Sequence, residues 1–179
     1  MAWEVERKAR IPDPEAIAER LTERFGTPTY SRKVDRYFSK PGDTENRFRL
    51  RTLSLDTDAP GTVTWKSRVM DDGMEINEER EFEVSNAADF SSLIGRIGCS
   101  LFAVKKKDTR AWNLDHGLLA ELSYVDRLAW FLEVEAVIPD TEGVEEAKRR
   151  VNRVFQELRI PTSDYEPRAY LSMLASGGL

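Results

Sequence analysis

Glu4-Val5-Glu6-Arg7-Lys8-Ala9-Arg10-Ile11 carries charge with a period of two. In a β-strand successive side chains point to opposite faces, so Glu4, Glu6 and Lys8 lie on one face in steps of about 6–7 Å. A half-buried strand ordinarily turns apolar residues inward, yet here the regular set is the ionic one. An unpaired buried charge is strongly unfavourable. If this face points inward it must therefore meet water, ions or a charged ligand.

The signature recurs along the chain. Glu81-Phe82-Glu83 and Glu133-Val134-Glu135 repeat the acidic spacing. Arg47-Phe48-Arg49-Leu50-Arg51 is a cationic version, and Thr64-Trp65-Lys66-Ser67-Arg68 and Lys105-Lys106-Lys107 add to it. The interleaved residues, such as Phe48, Leu50, Phe82, Leu132, Val134 and Ala136, are apolar. These strands would pack one face on apolar material and present a densely ionic face on the other. One acidic pair is ordinary on an exposed strand; three, set against several cationic runs, point to a shared charged cavity.

The chain has 179 residues, which suits one domain, 1–179, with a substantial core. Charged residues make up 33% and the net charge is −5. That balance argues against a nucleic-acid or anionic-membrane surface, so the Arg and Lys clusters imply charge segregated into a concave site. Cys99 is the only cysteine and His116 the only histidine. An intrachain disulfide, a thiolate zinc site and a His-rich metal site are thereby excluded. The first residues lack the apolar run of a signal peptide and no segment approaches membrane-spanning length, so a cytoplasmic protein is expected.

Strands are expected over 2–11, 34–39, 46–53, 62–69, 78–84, 102–112, 118–125 and 130–138. Asp13 and Pro14 open a helix whose stripe is Ile17, Leu21 and Phe25 and which Gly26 closes. A second helix over 87–97 presents Phe90, Leu93, Ile94 and Ile97; others are expected over 144–158 and 166–175. Asp71-Asp72-Gly73 is a hairpin signal. Two halves repeat weakly: each begins with a Glu-x-Glu strand that runs into a helix ending at glycine. About eight strands joined by short turns suggest an α+β chain whose antiparallel sheet closes into a barrel around a wet, ion-binding tunnel, with helices flanking it.

Carboxylates on one wall and Arg and Lys on the other specify a metal-bound polyphosphate well. Mg²⁺ takes a few carboxylates and completes its shell with water and phosphate oxygens. Arg offers a planar fork matched to phosphate, and Lys a compact charge. No Gly-x-x-x-x-Gly-Lys loop occurs, so this is not a P-loop chain.

Taken in order, these segments resemble the CYTH family, or triphosphate tunnel metalloenzymes, which includes class IV adenylate cyclases, thiamine triphosphatases and inorganic triphosphatases. Glu4, Glu6 and Lys8 match its E-x-E-x-K motif. Val34-Asp35-Arg36-Tyr37-Phe38 resembles its Asp-x-Tyr-Phe strand, and Arg47-Phe48-Arg49-Leu50-Arg51 its basic strand. Lys66, the Glu81/Glu83 pair, Trp130-Phe131-Leu132-Glu133-Val134-Glu135 and Arg168-Ala169-Tyr170 complete the set.

The resemblance implies an eight-stranded antiparallel tunnel. Glu4, Glu133 and Glu135 would hold a divalent metal, Mg²⁺ or Mn²⁺. Glu6, with Glu81 or Glu83, would hold a second metal or orient the attacking group. Lys8, Arg47, Arg49, Lys66, Lys107 and Arg168 would bind phosphate, with Glu6 and Lys8 nearest the chemistry. Departures from the family pattern fall at Glu79, where an Arg is usual, at Thr109 unless a bulge brings in Arg110, and at Ser123, with Asp126 nearby. The expected function is metal-dependent hydrolysis of a small-molecule triphosphate by a monomer or homodimer that binds neither nucleic acid nor membrane. The alternatives are a class IV adenylate cyclase, a non-catalytic polyphosphate- or nucleotide-binding module, and an interaction protein with an ionic sheet surface.

Overall fold

The period-two segments are strands, and the strands close on themselves. The computed structural model describes residues 2–43, 47–56 and 58–176. In chain order the elements are β1 (Ala2–Arg10), α1 (Pro14–Phe25), β2 (Thr29–Ser39), β3 (Phe48–Thr52), β4 (Gly61–Asp71), β5 (Met74–Val84), α2 (Ala87–Arg96), β6 (Ser100–Asn113), β7 (Leu118–Val125), β8 (Trp130–Ile138), α3 (Val144–Glu157) and α4 (Tyr170–Ala175). The eight strands form a closed barrel in the order β1-β5-β4-β3-β2-β6-β7-β8, with antiparallel pairing throughout. Exchanging the first four strands with the last four maps this list of neighbours onto itself, so the weak sequence repeat is a real symmetry of the topology.

Local chemistry sets the element ends. Asp13 caps α1 by accepting from the Ala16 amide at 3.2 Å; Pro14 fills the first turn, and Gly26 ends the helix at φ 84°. Asp72 and Gly73 both have positive φ, 49° and 69°, and form the two-residue turn between β4 and β5. Such turns match the twist of the flanking strands, and glycine takes that geometry without strain. Gly61 answers a different need: a Cβ there would lie 2.9 Å from the Arg51 carbonyl oxygen and from Leu50.

Apolar faces point outward from the barrel and pack under the helices. Val5 and Ala9 of β1, Ala120 and Leu122 of β7, and Leu132, Val134 and Ala136 of β8 are buried against Ile17, Ala18 and Leu21 of α1 and Ala147, Val151, Val154 and Phe155 of α3. Each large apolar side chain buried this way contributes about 1.5–3 kcal/mol. A smaller cluster joins Ala87 and Ile94 of α2 to Phe38, Leu50 and Val63. Tyr170 and Met173 of α4 pack on Phe131 and Val125, which share the inward parity of their strands, so α4 caps one end of the barrel.

The structure departs from expectation in several places, among them β2, which starts at Thr29 rather than 34 because it pairs with β6 out to Ala111. β5 starts at Met74 rather than 78, because the tight turn lets β4 and β5 pair up to Asp71 and Met74. β3 runs from Phe48 to Thr52; position 46, where it was expected to begin, lies outside the described residues. On α2 the core side is Ala87, Phe90 and Ile94, while Leu93 and Ile97 are exposed. The last helix starts at Tyr170, not at 166. Pro167 disfavours helical geometry for the residue before it. The Glu166 amide instead donates to the Lys8 carbonyl at 2.9 Å, and Tyr165 bridges to Ala9.

Candidate active site inside the barrel

The inward faces of the strands are mainly polar, and the barrel encloses a cavity of about 530 Å³. Glu4, Glu6 and Lys8 of β1 line it. With them are Lys33 and Tyr37 of β2, Arg49 and Arg51 of β3, Thr64, Lys66 and Arg68 of β4, and Glu75, Asn77, Glu79 and Glu81 of β5. Lys105 and Lys107 of β6, Leu119 and Glu121 of β7, Glu133, Glu135 and Val137 of β8, and Tyr170 of α4 complete the wall, with Arg47 at its rim. Among the described lining residues nine cationic side chains thus face eight carboxylates, so the wall is built as a lattice of ion pairs rather than as a simple anion trap.

Most of the lattice is internally matched. Lys66 donates to Glu4 at 2.6 Å and also pairs with Glu79. Arg51 makes a two-pronged contact with fully buried Asp35 at 2.7 and 3.0 Å, and Lys105 approaches the same carboxylate at 3.1 Å. Lys107 pairs with Glu133 and reaches Glu121 at 3.5 Å; Lys33 also pairs with Glu121. Arg68 holds Glu75 at 2.5 Å.

Among the described lining carboxylates Glu6 and Glu135 are the exceptions. Among the described residues neither forms an ion pair, although both lie in the cavity wall. They face each other across the β1–β8 ladder, and with Glu4 they bring carboxylate oxygens within 4.8 Å of one another.

The electrostatics follow from these partners. Burial pushes the pKa values of Glu6 and Glu135 well up. Neighbouring carboxylates add to this, Glu133 and Glu4 for Glu6 and Glu4 for Glu135. Burial opposes ionisation of Glu4 and Glu133 as well. There Lys66, and Lys107 with Lys105, outweigh it and hold both carboxyls below the usual range. Burial and the neighbouring Glu4 lift Glu79 to about 7. Burial lowers Lys105 to about 8 against the pull of Asp35.

The donor set of Glu4, Glu6 and Glu135 suits a hard divalent cation. It offers converging carboxylate oxygens, two of them on groups without a counter-charge, in a site that disfavours their ionisation until a cation arrives. Glu133 lies beside this group but is committed to Lys107.

A family model described as the CYTH domain matches residues 2–170. The chain belongs to the CYTH domain family. Among solved structures this CYTH chain is similar to a conserved hypothetical protein from Pyrococcus furiosus, at 28% identity and TM-score 0.78, over 94% of this chain and 98% of that one. It is similar to a protein from Pyrococcus horikoshii at 26% identity and TM-score 0.78, over the same shares. It also shares its fold with a Hippeastrum protein reported to have a dominant triphosphatase activity, at 17% identity and TM-score 0.73, over 100% of this chain and 97% of that one. No curated protein matches the chain.

Of the expected site residues, Glu4, Glu6, Lys8, Arg47, Arg49, Lys66, Lys107, Glu81, Glu133 and Glu135 line the CYTH cavity. Glu83 does not; it is exposed beyond the last lining residue of β5. Glu81 is at the mouth, held by Thr64 at 2.5 Å and by Arg49 at 3.4 Å. The register sets Glu75, rather than Glu81 or Glu83, opposite Glu6. Six residues of strand, about 20 Å, separate Glu75 from Glu81, so the expected grouping of Glu6 with either one is not made. The Arg168 side chain turns outward to Glu166 at 2.6 and 2.8 Å; its carbonyl oxygen, instead, accepts from Lys8 at 2.7 Å. Thr109 and Ser123 hydrogen-bond to each other at 2.9 Å, and Arg110 points outward to Glu15. Lys33, Glu75, Asn77 and Glu121 escaped the sequence reading, although Glu75-x-Asn77-x-Glu79-x-Glu81 and Lys33-x-Asp35-x-Tyr37 carry the same period-two signal.

Proposed function

We propose that this chain is a divalent-metal-dependent triphosphatase that hydrolyses a phosphoanhydride of a small inorganic or organic triphosphate held inside the barrel. The observation that carries the reading is the pair of carboxylates, buried Glu6 and half-buried Glu135, left without an ion-pair partner among the described residues beside Glu4, in a wall that also carries Lys8, Lys66 and Lys107. Glu4, Glu6 and Glu135 would hold the cation, Mg²⁺ or Mn²⁺. When bound, such an ion neutralises charge on the phosphate oxygens and on the leaving group. Arg47, Arg49, Lys66 and Lys107 hold the phosphate chain, each already placed on the cavity wall. Lys8 offsets charge on the departing phosphate, and Glu6 orients the attacking water. In family terms this catalysis is mainly positioning and electrostatic stabilisation.

A closed, ionic wall fits a phosphate chain better than a base. Tyr37, Phe48, Leu119, Val137, Ala169 and Leu171 add scattered apolar surface, but no paired platform that would read adenine is evident among the described lining residues. Tripolyphosphate, thiamine triphosphate and ATP, each with Mg²⁺ and with Mn²⁺, test the proposal through product analysis. Orthophosphate release is expected. Cyclic AMP as the main product from ATP would replace hydrolysis by cyclisation, and tight binding with no product above an E6Q control would reduce the chain to a binding module.

A further inference from the structure

Tyr170 carries a buried hydroxyl for which no hydrogen-bond partner is present among the described residues. The residue is 6% exposed, yet it lines the cavity. Its ring packs edge-on against Phe131 at 5.1 Å, which fixes where the hydroxyl points. Three ammonium groups surround that ring: Lys8 at 4.4 Å, Lys105 at 4.6 Å and Lys107 at 5.5 Å. Three like charges around one aromatic side chain mark the place where an anion belongs.

Among the described residues the protein offers the hydroxyl one competing acceptor, the Glu133 carboxylate. Lys8 donates to the Arg168 carbonyl, Lys105 pairs with Asp35, and the Glu133 carboxylate, the nearest anionic influence on the phenol, is engaged by Lys107. A buried polar group without a partner is costly, and such a group in a cavity wall calls for a ligand. Burial raises the phenol pKa well above its ordinary value, and Glu133 and Glu6 add to this, so the group stays protonated and keeps a proton to offer to a hydrogen bond.

We infer that the Tyr170 hydroxyl donates a hydrogen bond to a phosphate oxygen of the bound triphosphate, so that α4 forms part of the substrate site and does not merely cap the barrel. This rests on the triphosphate reading above. The ammonium groups of Lys8, Lys105 and Lys107 draw the anion to this end of the cavity, and the phenol adds a neutral donor with fixed direction. Lysine, a compact charge on a flexible stem, cannot supply that direction.

Tyr170→Phe isolates the hydroxyl, since the ring keeps its packing on Phe131 and its contacts with the lysines. The full-length variant and wild type are compared by thermal unfolding and by calorimetric titration with tripolyphosphate and Mg²⁺. Without ligand the variant should melt at the wild-type temperature or above it, because a hydroxyl with no partner has been removed. With tripolyphosphate its thermal shift should be smaller and its Kd weaker by about tenfold or more, the usual scale for a hydrogen bond to a charged group. KM should rise more than kcat falls. An unchanged Kd and shift in Y170F would overturn the inference. So would a lower melting temperature without ligand combined with a wild-type ligand shift, which would make the hydroxyl a structural donor to Glu133. A wild type that shows no shift with tripolyphosphate would remove the triphosphate reading itself, and this inference with it.

Discussion

β3–β4 and β7–β8 occupy equivalent places in the two halves of the barrel and carry opposite charge. The first pair turns Arg49, Arg51, Lys66 and Arg68 inward; the second turns Glu121, Glu133 and Glu135 inward. The outer faces, by contrast, are apolar in both, with Leu50 and Val63 on one side and Leu122, Leu132 and Val134 on the other. The two halves therefore share what makes a strand pack and differ in what makes a cavity bind. A symmetric skeleton with an antisymmetric interior gives cations for a phosphate chain on one side and oxygens for a metal on the other. The two walls are also anchored differently. Arg51 and Lys105 grip fully buried Asp35, whereas Glu6 and Glu135 on the acidic side have no matching cation among the described residues.

That contrast can be broken most severely on the anchored side. Arg51→Ala leaves Asp35 buried with Lys105 alone, and a loss of about 3 kcal/mol is expected in urea unfolding, toward the low end for a broken buried pair because Lys105 stays within 3.1 Å. A loss under about 0.5 kcal/mol would mean that Asp35 is not held as an ion.

On the unanchored side the effect should fall on activity rather than on stability. Glu135→Gln removes a carboxyl that burial and Glu4 keep protonated, so the metal-free protein should be as stable as wild type or more so. Metal-dependent phosphate release should drop by about a hundredfold, the scale of losing one preorganised electrostatic contact. Equal turnover by variant and wild type would remove Glu135 from the cation site.

Acidity gives a finer probe. The Glu79 carboxyl is raised from 4.5 to about 7, so between those values the folded chain holds a proton that the unfolded chain has released. Stability contributed by this group is complete below about pH 4.5 and is lost as the pH rises through about 7. Glu79→Gln should flatten that descending part of the melting temperature against pH in metal-free protein. An unchanged profile would show that Lys66 keeps Glu79 ionised. The smallest effects should come from Glu83→Gln and Arg168→Ala, which lie outside the lining; turnover within about twofold of wild type is expected because neither side chain is buried or in the cavity.

Much of this was legible in the sequence because a strand writes its two faces into alternate positions. Glu4, Glu6 and Lys8, Arg49 and Arg51, and Glu133 and Glu135 could be assigned to one face each from spacing, and the order of motifs matched the family. Leu93 and Ile97 misled because on a short helix an apolar stripe is wider than the surface that covers it. Glu83 misled for a related reason: parity says which way a side chain points, but not whether the cavity still extends to that level. Arg168 sat in a family-like segment, yet Pro167 and the Glu166–Lys8 backbone bond turned its side chain away and sent its carbonyl oxygen inward.

The sequence by itself determined the strands, their ionic faces, the helical caps and the family. Each of these depends on neighbours a few positions away, through alternation, capping and turn geometry. Tertiary structure alone decided which charges meet. Closing the barrel in the order β1-β5-β4-β3-β2-β6-β7-β8 sets Glu6 against Glu135 on one side and Glu75 on the other. It also lets Lys66 reach Glu4 across β5, and brings Tyr170 from the far end of the chain to three lysines. Strand stagger and the docking of α4 fix those distances, and neither is written in local spacing.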